Sequence, residues 1–400
     1  MMLSERARKL APSVTLQAAA KAKKLKAQGN DVKILTVGEP DFATPKNIQD
    51  AAIQAIQSGK ASYYTATPGI PQLRKAIENR FRNVYGIDFQ DENIVVTDGA
   101  KFALYSLFQA ILNEGDEVLI PVPYWVSYAE QVKLAEATPV FVYATEENDY
   151  KVTVEQLEEQ RTENTRAVII NSPSNPTGMI YSYDELKAIG EWAVRNNVLI
   201  VADDIYGRLV YNGNKFTPIA SISEEIRENT VIINGVSKAY AMTGWRIGFA
   251  IGNEEIIKAM IKIGSQSTSN PTAVSQFAAL EALNGTQEVV EEMRQSYEER
   301  LNEIYPKVAA LPGFKLKKPQ GAFYLFPNIK ETLDMIGMEN ATEFVDALLE
   351  EEYVALVTGD GFGSPYNVRL SYATDLATLN EAVDRIARFI ESKKKEFRGK

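Results

Sequence analysis

Short apolar runs alternate with helical patterns along the middle of this 400-residue chain, and this alternation constrains the fold more than any other feature. Strands that alternate with helices predict an α/β fold, with a large domain built on a mostly parallel seven-stranded sheet flanked by helices. The seven strand candidates are Asn93–Thr97, Glu117–Pro121, Pro139–Tyr143, Ala167–Asn171, Val198–Asp203, Val231–Asn234 and Arg246–Ile251. The helical patterns between them include Lys101–Leu112, Ser127–Glu136 and Tyr183–Asn196.

The pattern changes from about Val274 onward, where a long charged helical stretch runs to about Leu311 with a break near Asn284. The segments beyond it predict a smaller α+β domain. We place the large domain at residues 46–285, and the small domain at residues 1–45 together with 286–400. The later candidates are a strand at Ala322–Phe326, a helix at Ala341–Glu351, a strand at Asn367–Tyr372 and a helix at Leu376–Lys395.

The formal net charge of −10 bears on the partners that the chain can have. An acidic surface repels phosphate backbones and anionic lipid, so we expect no nucleic-acid or membrane partner. No stretch is apolar for long enough to span a bilayer. Residues 1–29 lack the apolar middle of a secretory signal, and they predict a helix on the folded protein. A soluble, cytoplasmic protein is expected.

The sequence contains neither cysteine nor histidine. This excludes disulfides, Cys-His pairs, Ser-His-Asp triads and ordinary zinc sites, so we expect no metal centre. Proton transfer near neutral pH must therefore use Lys, Asp, Glu, Tyr, water or a cofactor.

The segment Thr230–Gly252 has only two charged residues, Lys238 and Arg246. Lys238 follows an apolar strand and a glycine turn, which places it at the edge of the sheet where ligands bind. A partly desolvated lysine beside a second cation has a lowered pKa and becomes a nucleophile. A lysine in a surface loop is the alternative, but the apolar flanks and the missing counter-ion favour a functional role.

Three other strand ends carry polar residues. Asp203 ends one strand and Tyr206 follows it, so the acid could keep a ring nitrogen protonated while the phenol bonds a ring oxygen. Asn175 lies in the turn after another strand, and Gly99 opens a helix whose N–H groups suit an anion. Helix capping by Asp203 and ordinary turns at Asn175 and Gly99 are the alternatives. The convergence of four strand ends favours one shared site.

Two further residues complete the candidate site. Arg369 lies among apolar residues of a strand in the smaller domain, where its guanidinium can bind a carboxylate through two hydrogen bonds. A structural ion pair is its alternative role. Trp125 follows the strand Glu117–Pro121 and could stack on a planar ring, although such an aromatic residue more often belongs to the core.

Taken together, these segments resemble the class I, fold-type I aminotransferases, which depend on pyridoxal 5′-phosphate. The resemblance covers nearly the whole chain. Within the family, the chain is most similar to the bacterial aspartate aminotransferases that carry lysine at the position of Lys101. The motifs that carry it are VGEPDF (37–42), ASYYTATPGIPQLR (61–74), DGAKFAL (98–104), PYWVSY (123–128), NSPSNPTG (171–178), ADDIY (202–206), NGVSKAYAMTGWRIG (234–248), QGAFYLF (320–326) and NVRLSYA (367–373).

The resemblance implies how the large domain binds the cofactor. Lys238 is implied to form the Schiff base and to move a proton between the substrate Cα and the cofactor C4′. Asp203 is implied to pair with the pyridine nitrogen. Tyr206 and Asn175 are implied to bond the 3′-oxygen, and Trp125 is implied to stack on the ring. The residues implied around the phosphate are Gly99, Ala100, Lys101, Ser237, Arg246 and Tyr64 of the partner subunit.

The resemblance also implies the substrates, an amino acid and a 2-oxo acid, and a homodimer with shared sites. Arg369 is implied to bind the α-carboxylate, helped by Gly38 and Asn175, in a pocket that Trp125 also lines. Lys101 is implied to receive a distal carboxylate, which favours L-aspartate and 2-oxoglutarate as substrates over other pairs. Ser269 and Asn270 are implied to reach the site of the other subunit.

Other activities on this scaffold stay open. An aromatic or prephenate aminotransferase and a β-lyase are the alternatives, and a non-catalytic regulatory domain is a more distant one. Ala11 stands where some relatives have a basic residue associated with prephenate, which disfavours that substrate. Ala202 and Asp204 stand where relatives usually have Ser and Glu. Asp203, on the Asp-x-x-Tyr spacing, remains the residue assigned to the ring nitrogen.

Overall fold

The architecture is seen in a computed structural model that describes residues 2–12 and 14–399. Its strands are β1 (Lys33–Ile34), β2 (Ile94–Thr97), β3 (Glu117–Val122), β4 (Thr138–Tyr143), β5 (Thr165–Asn171), β6 (Leu199–Asp203), β7 (Thr230–Gly235), β8 (Gly248–Ile251), β9 (Tyr324–Leu325), β10 (Val354–Ala355), β11 (Val357–Thr358) and β12 (Val368–Ser371).

The helices surround these strands and connect them. They are α1 (Glu5–Lys9), α2 (Val14–Ala27), α3 (Lys46–Gln57), α4 (Pro71–Tyr85), α5 (Ala100–Ile111), α6 (Ser127–Leu134), α7 (Val154–Gln160), α8 (Tyr183–Arg195), α9 (Glu224–Glu228), α10 (Glu254–Ser267), α11 (Ala273–Asn284), α12 (Glu288–Ala309), α13 (Lys330–Ile336), α14 (Ala341–Glu352) and α15 (Leu376–Arg398).

A seven-stranded sheet in the order β2-β8-β7-β6-β5-β3-β4 forms the centre of the molecule. Strands β7, β6, β5, β3 and β4 pair in parallel, and β8 runs antiparallel to both of its neighbours. The α/β fold class and the mostly parallel seven-stranded sheet are confirmed. Asn171, which ends β5 shortly before the predicted site residue Asn175, pairs with the predicted site residue Asp203 in the register of β5 and β6.

The core explains why the strand sequences are apolar without interruption. Ile169 packs into the core on one face of the sheet, while its neighbours Val168 and Ile170 pack into the core on the other face. Successive side chains of a strand point to opposite faces, so a strand covered on both faces needs apolar residues at every position. Each such buried side chain stabilises the fold by about 1.5–3 kcal/mol.

A smaller antiparallel sheet, in the order β11-β12-β9, packs beside the large sheet together with α13, α14 and α15. The N-terminal segment joins this part, because β1 pairs with β10. Helix α12 spans both regions, since Val290 packs into the core of the large sheet and Leu301 into that of the small sheet. The domain boundaries that we placed at 46–285 stay a prediction.

The single helix expected within residues 1–29 is wrong in one respect, because α1 and α2 are separate helices. Pro12 lies between them, and proline disfavours helical backbone at the residue before it. Within the described part of the chain, no helix is both long and apolar enough to cross a membrane.

Candidate functional site

A cleft of about 510 Å³ opens where the carboxyl ends of the central strands meet the small sheet. The large sheet supplies one wall, and β9 and β12 supply the opposite wall. Helix α2 contributes residues to the rim. The predicted site residues that line this cleft are Gly38, Ala100, Lys101, Trp125, Asn175, Asp203, Tyr206, Ser237, Lys238, Arg246 and Arg369.

Lys238 lies in the turn that follows β7, and its side chain is half-buried in the cleft. Its Nζ donates a hydrogen bond of 2.6 Å to the carbonyl oxygen of Gly38. Burial lowers the pKa of Lys238 to about 8, Arg369 and Arg246 act in the same direction, and the charges of Glu39 and Asp203 oppose them. A usable fraction of this amine is therefore unprotonated near neutral pH.

Asp203 ends β6 and is 4% exposed. Its Oδ2 accepts a 2.6 Å hydrogen bond from the Tyr128 hydroxyl, and its Oδ1 accepts one from the backbone N–H of Ile205. Burial raises the pKa of Asp203, while these donors and Lys238 favour the charged form. The carboxylate is thus held in one orientation at the floor of the cleft.

Asp204 is equally buried but does not line this cleft. Adjacent strand residues point to opposite faces, which is why the sequence assigned the ring nitrogen to Asp203 alone. Burial raises the pKa of Asp204 well above its ordinary value, and the neighbouring charge of Asp203 adds to the effect. Asp204 therefore lies behind the site, where burial disfavours its charged form.

Tyr206 follows Asp203 and is buried against the small sheet. Its hydroxyl is 2.8 Å from the hydroxyl of Tyr324 on β9. The amine of Lys238 lies 5.9 Å from the centroid of the Tyr206 ring. The phenol and the amine thus face the same part of the cleft.

Asn175 is held by the loop after β5. Its backbone N–H donates to the side-chain oxygen of Asn171, whose amide nitrogen donates to the carbonyl oxygen of Asp203. The side-chain oxygen of Asn175 in turn accepts a 3.0 Å bond from Arg369. One asparagine therefore connects the end of the large sheet to the small sheet.

Arg369 on β12 is 2% exposed, yet it forms no ion pair within residues 2–12 and 14–399. Its guanidinium bonds Asn175 and the carbonyl oxygen of Thr36, and it lies 4.4 Å from the centroid of the Tyr324 ring. Burial lowers the pKa of Arg369. A buried cation without an anion is costly, so this group suits a carboxylate ligand.

The turn between β2 and α5 is shaped to hold an anion. Gly99 has a φ of 92°, and a Cβ atom there would collide with the guanidinium of Arg246. Arg246 also donates to the carbonyl oxygens of Thr243 and Asp98, at 3.0 and 3.3 Å. The free N–H groups at the start of α5, beginning with Ala100, add partial positive charge beside this cation.

Lys101 lies in the first turn of α5, and its ammonium is 4.9 Å from the centroid of the Trp125 ring. Burial lowers the pKa of Lys101, and the charge of Arg246 contributes to this. Trp125 is partly buried, with its ring edge against Tyr128. Among the described residues no acid forms a salt bridge with Lys101.

Gly99 does not itself line the cleft, and three further predicted residues lie outside the cleft of their own chain. Tyr64 is 91% exposed, Ser269 is exposed, and Asn270 is half-buried. The sequence assigned all three to the site of a second copy. That assignment stays a prediction.

Sequence reasoning missed Tyr128 and Tyr324, which hold Asp203 and Tyr206 in place. Tyr128 follows Trp125 by three residues, so the start of a helix at this point could have been expected to bring the two rings together. Tyr324 lies in the aromatic run QGAFYLF, which we interpreted as a strand and as one motif of the resemblance, without assigning its tyrosine to the site. Nothing in that run distinguishes a residue of the site from a residue of the core.

The comparisons with known proteins agree on one family. The family described as aminotransferase class I and II matches residues 30–386. The chain is 58% identical to an asparagine–oxo-acid transaminase of Streptococcus mutans, with 97% of this chain and 99% of the relative covered. It is 56% identical to an aspartate aminotransferase of Geobacillus stearothermophilus, covering 98% of this chain and all of that protein.

A solved structure extends the likeness to three dimensions. The aspartate aminotransferase of Thermus thermophilus with maleate superposes with a TM-score of 0.91 at 40% identity. The superposition covers 97% of this chain and 99% of the other.

Proposed function

The chain belongs to the class I and II aminotransferase family, and we propose that it transfers the amino group of L-aspartate to 2-oxoglutarate, giving oxaloacetate and L-glutamate. The cofactor of this family is pyridoxal 5′-phosphate. One observation carries the proposal: a nucleophilic lysine, Lys238, lies in the same cleft as a buried arginine, Arg369, that has no anion among the described residues.

The residues of the cleft fit the cofactor. The turn at Gly99, the start of α5 and Arg246 offer a compact cationic site for its phosphate. The buried carboxylate of Asp203 suits the ring nitrogen, and Trp125 offers a face for the ring. We propose that Ser237 also contacts the phosphate, and that Tyr206 and Asn175 bond the 3′-oxygen of the ring.

When bound, pyridoxal phosphate supplies a conjugated ring that takes up the electron pair left on the substrate Cα after its proton is removed. Lys238 is the residue that would take that proton and return one to the cofactor C4′. Its pKa of about 8 suits both tasks near neutral pH, because the amine can accept a proton and also give it back.

Asp203 keeps the ring nitrogen protonated in this proposal. A protonated nitrogen is a cation, and it adds a counter-charge to a carboxylate that already has Tyr128 and Ile205 as donors. Burial strengthens the attraction because little water screens the two charges. The charged form of Asp203, which burial alone disfavours, is thereby stabilised.

Arg369 and Lys101 select the substrate. We propose that Arg369 binds the α-carboxylate, with Asn175 and the backbone of Gly38 beside it. Lys101 then meets the distal carboxylate of aspartate, glutamate or their oxo acids. The Streptococcus mutans relative is named for asparagine and the Geobacillus stearothermophilus relative for aspartate, and a cation at Lys101 favours the acid over the amide.

We also propose a homodimer in the cytoplasm. Exposed apolar side chains on α3 and in the segment after it support the dimer, namely Ile53, Ile56, Tyr63 and Tyr64. In such a dimer the hydroxyl of Tyr64 would reach the phosphate of the opposite site, and Ser269 and Asn270 would reach its mouth. The oligomeric state can be measured by light scattering.

The decisive experiment follows visible absorbance of the protein loaded with pyridoxal phosphate. Addition of L-aspartate is expected to shift the band, and 2-oxoglutarate is expected to restore it. Lys238→Ala is expected to abolish turnover, whereas Lys258→Ala, a change at an exposed lysine, leaves it intact. Absence of any shift with aspartate contradicts the proposal, and a faster response to asparagine assigns the amide as donor.

A further inference from the structure

Tyr324 on β9 touches both walls of the cleft, although its side chain is fully buried. Its hydroxyl lies 2.8 Å from the hydroxyl of Tyr206. Its ring lies under the guanidinium of Arg369, at 4.4 Å from centroid to Cζ. No other residue of the described chain bonds the Tyr206 hydroxyl and also stacks on Arg369.

The direction of the hydrogen bond between the two phenols decides what Tyr206 can do. Each hydroxyl has one proton to donate, and only one proton can lie between two oxygens. If Tyr206 is the donor, its proton is used up in the bond. If Tyr324 is the donor, Tyr206 keeps its own proton for a ligand in the cleft.

The surroundings favour Tyr324 as the donor. A guanidinium over an aromatic ring stabilises negative charge on that phenol and makes its O–H a stronger donor. Burial raises the pKa of Tyr324, but Arg369 and the bond to Tyr206 oppose the rise. Burial raises the pKa of Tyr206 well above its ordinary value, and Tyr324 adds to this rise more than Arg369 opposes it.

We propose that Tyr324 is a positioning residue with two separable roles. Its hydroxyl donates to Tyr206, so that the Tyr206 proton points into the cleft toward the ring oxygen of the cofactor. Its ring supports Arg369 in the orientation that receives the substrate carboxylate. This inference rests on the proposed transamination and adds to it a residue that serves both cofactor and substrate.

Tyr324→Phe tests the first role, because it removes the hydroxyl and keeps the ring. Loss of one hydrogen bond predicts a fall in kcat of about three- to tenfold, with KM for aspartate changed less than about twofold. Without its donor, Tyr206 bonds the ring oxygen less strongly. The pH midpoint of the cofactor absorbance in the substrate-free protein then rises by about half a unit.

Tyr324→Leu tests the second role, because it removes the ring as well. Arg369 loses a cation–π contact, so KM for aspartate is expected to rise by a further factor of about ten. Equal KM values for the Phe and Leu variants would remove the role assigned to the ring. Circular dichroism and thermal melting establish that each variant is folded.

Tyr372→Phe is the matched control. Tyr372 is also buried, and its hydroxyl bonds the carbonyl oxygen of Ala322 at 3.2 Å, but its side chain does not line the cleft. This variant is expected to keep the absorbance midpoint and the kinetic constants. An unchanged midpoint in Tyr324→Phe, or an equal shift in Tyr372→Phe, overturns the proposal. Failure of the parent protein to turn over aspartate would instead overturn the proposed function, while the absorbance titration would still decide the role of Tyr324.

Discussion

The two cations available for a dicarboxylate occupy very different surroundings. Arg369 is buried, its guanidinium is fixed by Asn175 and Thr36, and the rings of Tyr324 and Phe362 flank it. Lys101 is exposed as a residue, although its ammonium is partly desolvated, and that ammonium contacts only the face of Trp125 among the aromatic rings that the structure describes.

This difference corresponds to what each cation must recognise. Every amino acid has an α-carboxylate in the same position relative to Cα. A rigid receptor can therefore bind it without the entropy cost of ordering a flexible side chain. Side chains of aspartate and glutamate differ in length, and a flexible lysine can follow both. The structure thus offers a rigid receptor for the α-carboxylate and a flexible receptor for the side-chain carboxylate.

Arg369→Lys should have the largest effect. A lysine cannot bond Asn175, Thr36 and a carboxylate in the planar geometry of arginine, so kcat/KM should fall by about 10³-fold. The fall should be the same for aspartate and alanine, because both present an α-carboxylate. Steady-state kinetics on both donors measures this, with Arg166→Lys as the control, at an exposed arginine whose partner Asp116 lies outside the cleft. A fall confined to aspartate would contradict the comparison.

Lys101→Ala should have a smaller and selective effect. Removal of one charged contact should lower kcat/KM for aspartate by about 10- to 100-fold and that for alanine by less than about threefold. The ratio of the two constants isolates the distal carboxylate. Equal losses on both donors would show that Lys101 serves the phosphate or only begins the helix.

Lys238 lies in the same cleft as the two cations. Its protonation should determine how the rate at which cofactor-free protein condenses with pyridoxal phosphate depends on pH. The unprotonated amine reacts, so the rate should rise about tenfold per unit up to the pKa and then level off. Levelling is expected near pH 8, the value to which burial lowers this pKa. Stopped-flow absorbance measures the rate. A rise that continues toward pH 10.5, the ordinary value for lysine, would show that the amine is not desolvated.

Added salt should have the smallest effect on the kinetic constants. Raising ionic strength from about 0.05 to 0.5 M shortens the screening length and weakens exposed charges more than buried ones. KM for aspartate should rise about two- to threefold through Lys101, while KM for alanine, which depends on Arg369, should change little. An identical salt response for both donors would mean that the two cations are equally accessible.

Sequence reasoning found the residues that follow directly from strand ends. Asp203, Asn175 and Lys238 were predicted because parallel strands bring their carboxyl ends to one edge, and the structure places all three in the cleft. Arg369 was predicted from a charge among apolar strand residues. These inferences need only the order of elements and the chemistry of single residues.

The rest depends on packing between distant segments, which no local pattern encodes. The pairing of β1 with β10 joins residues more than 300 positions apart, and each strand is too short to show a period. The contacts of Tyr324 likewise arise from tertiary packing, so its aromatic side chain was indistinguishable from a core residue.

The close approach of Arg246 to Gly99 limits how this chain can be diversified. Gly248 imposes a second limit, since a Cβ atom there would collide with the backbone nitrogen of Ala100. A larger residue at Gly248 displaces the backbone of the turn itself, whereas one at Gly99 displaces the guanidinium of Arg246 and must adopt a φ that side chains disfavour. A mutagenesis library aimed at new donors should therefore leave these positions fixed and vary the residues around Lys101, where side chains can change without moving the backbone.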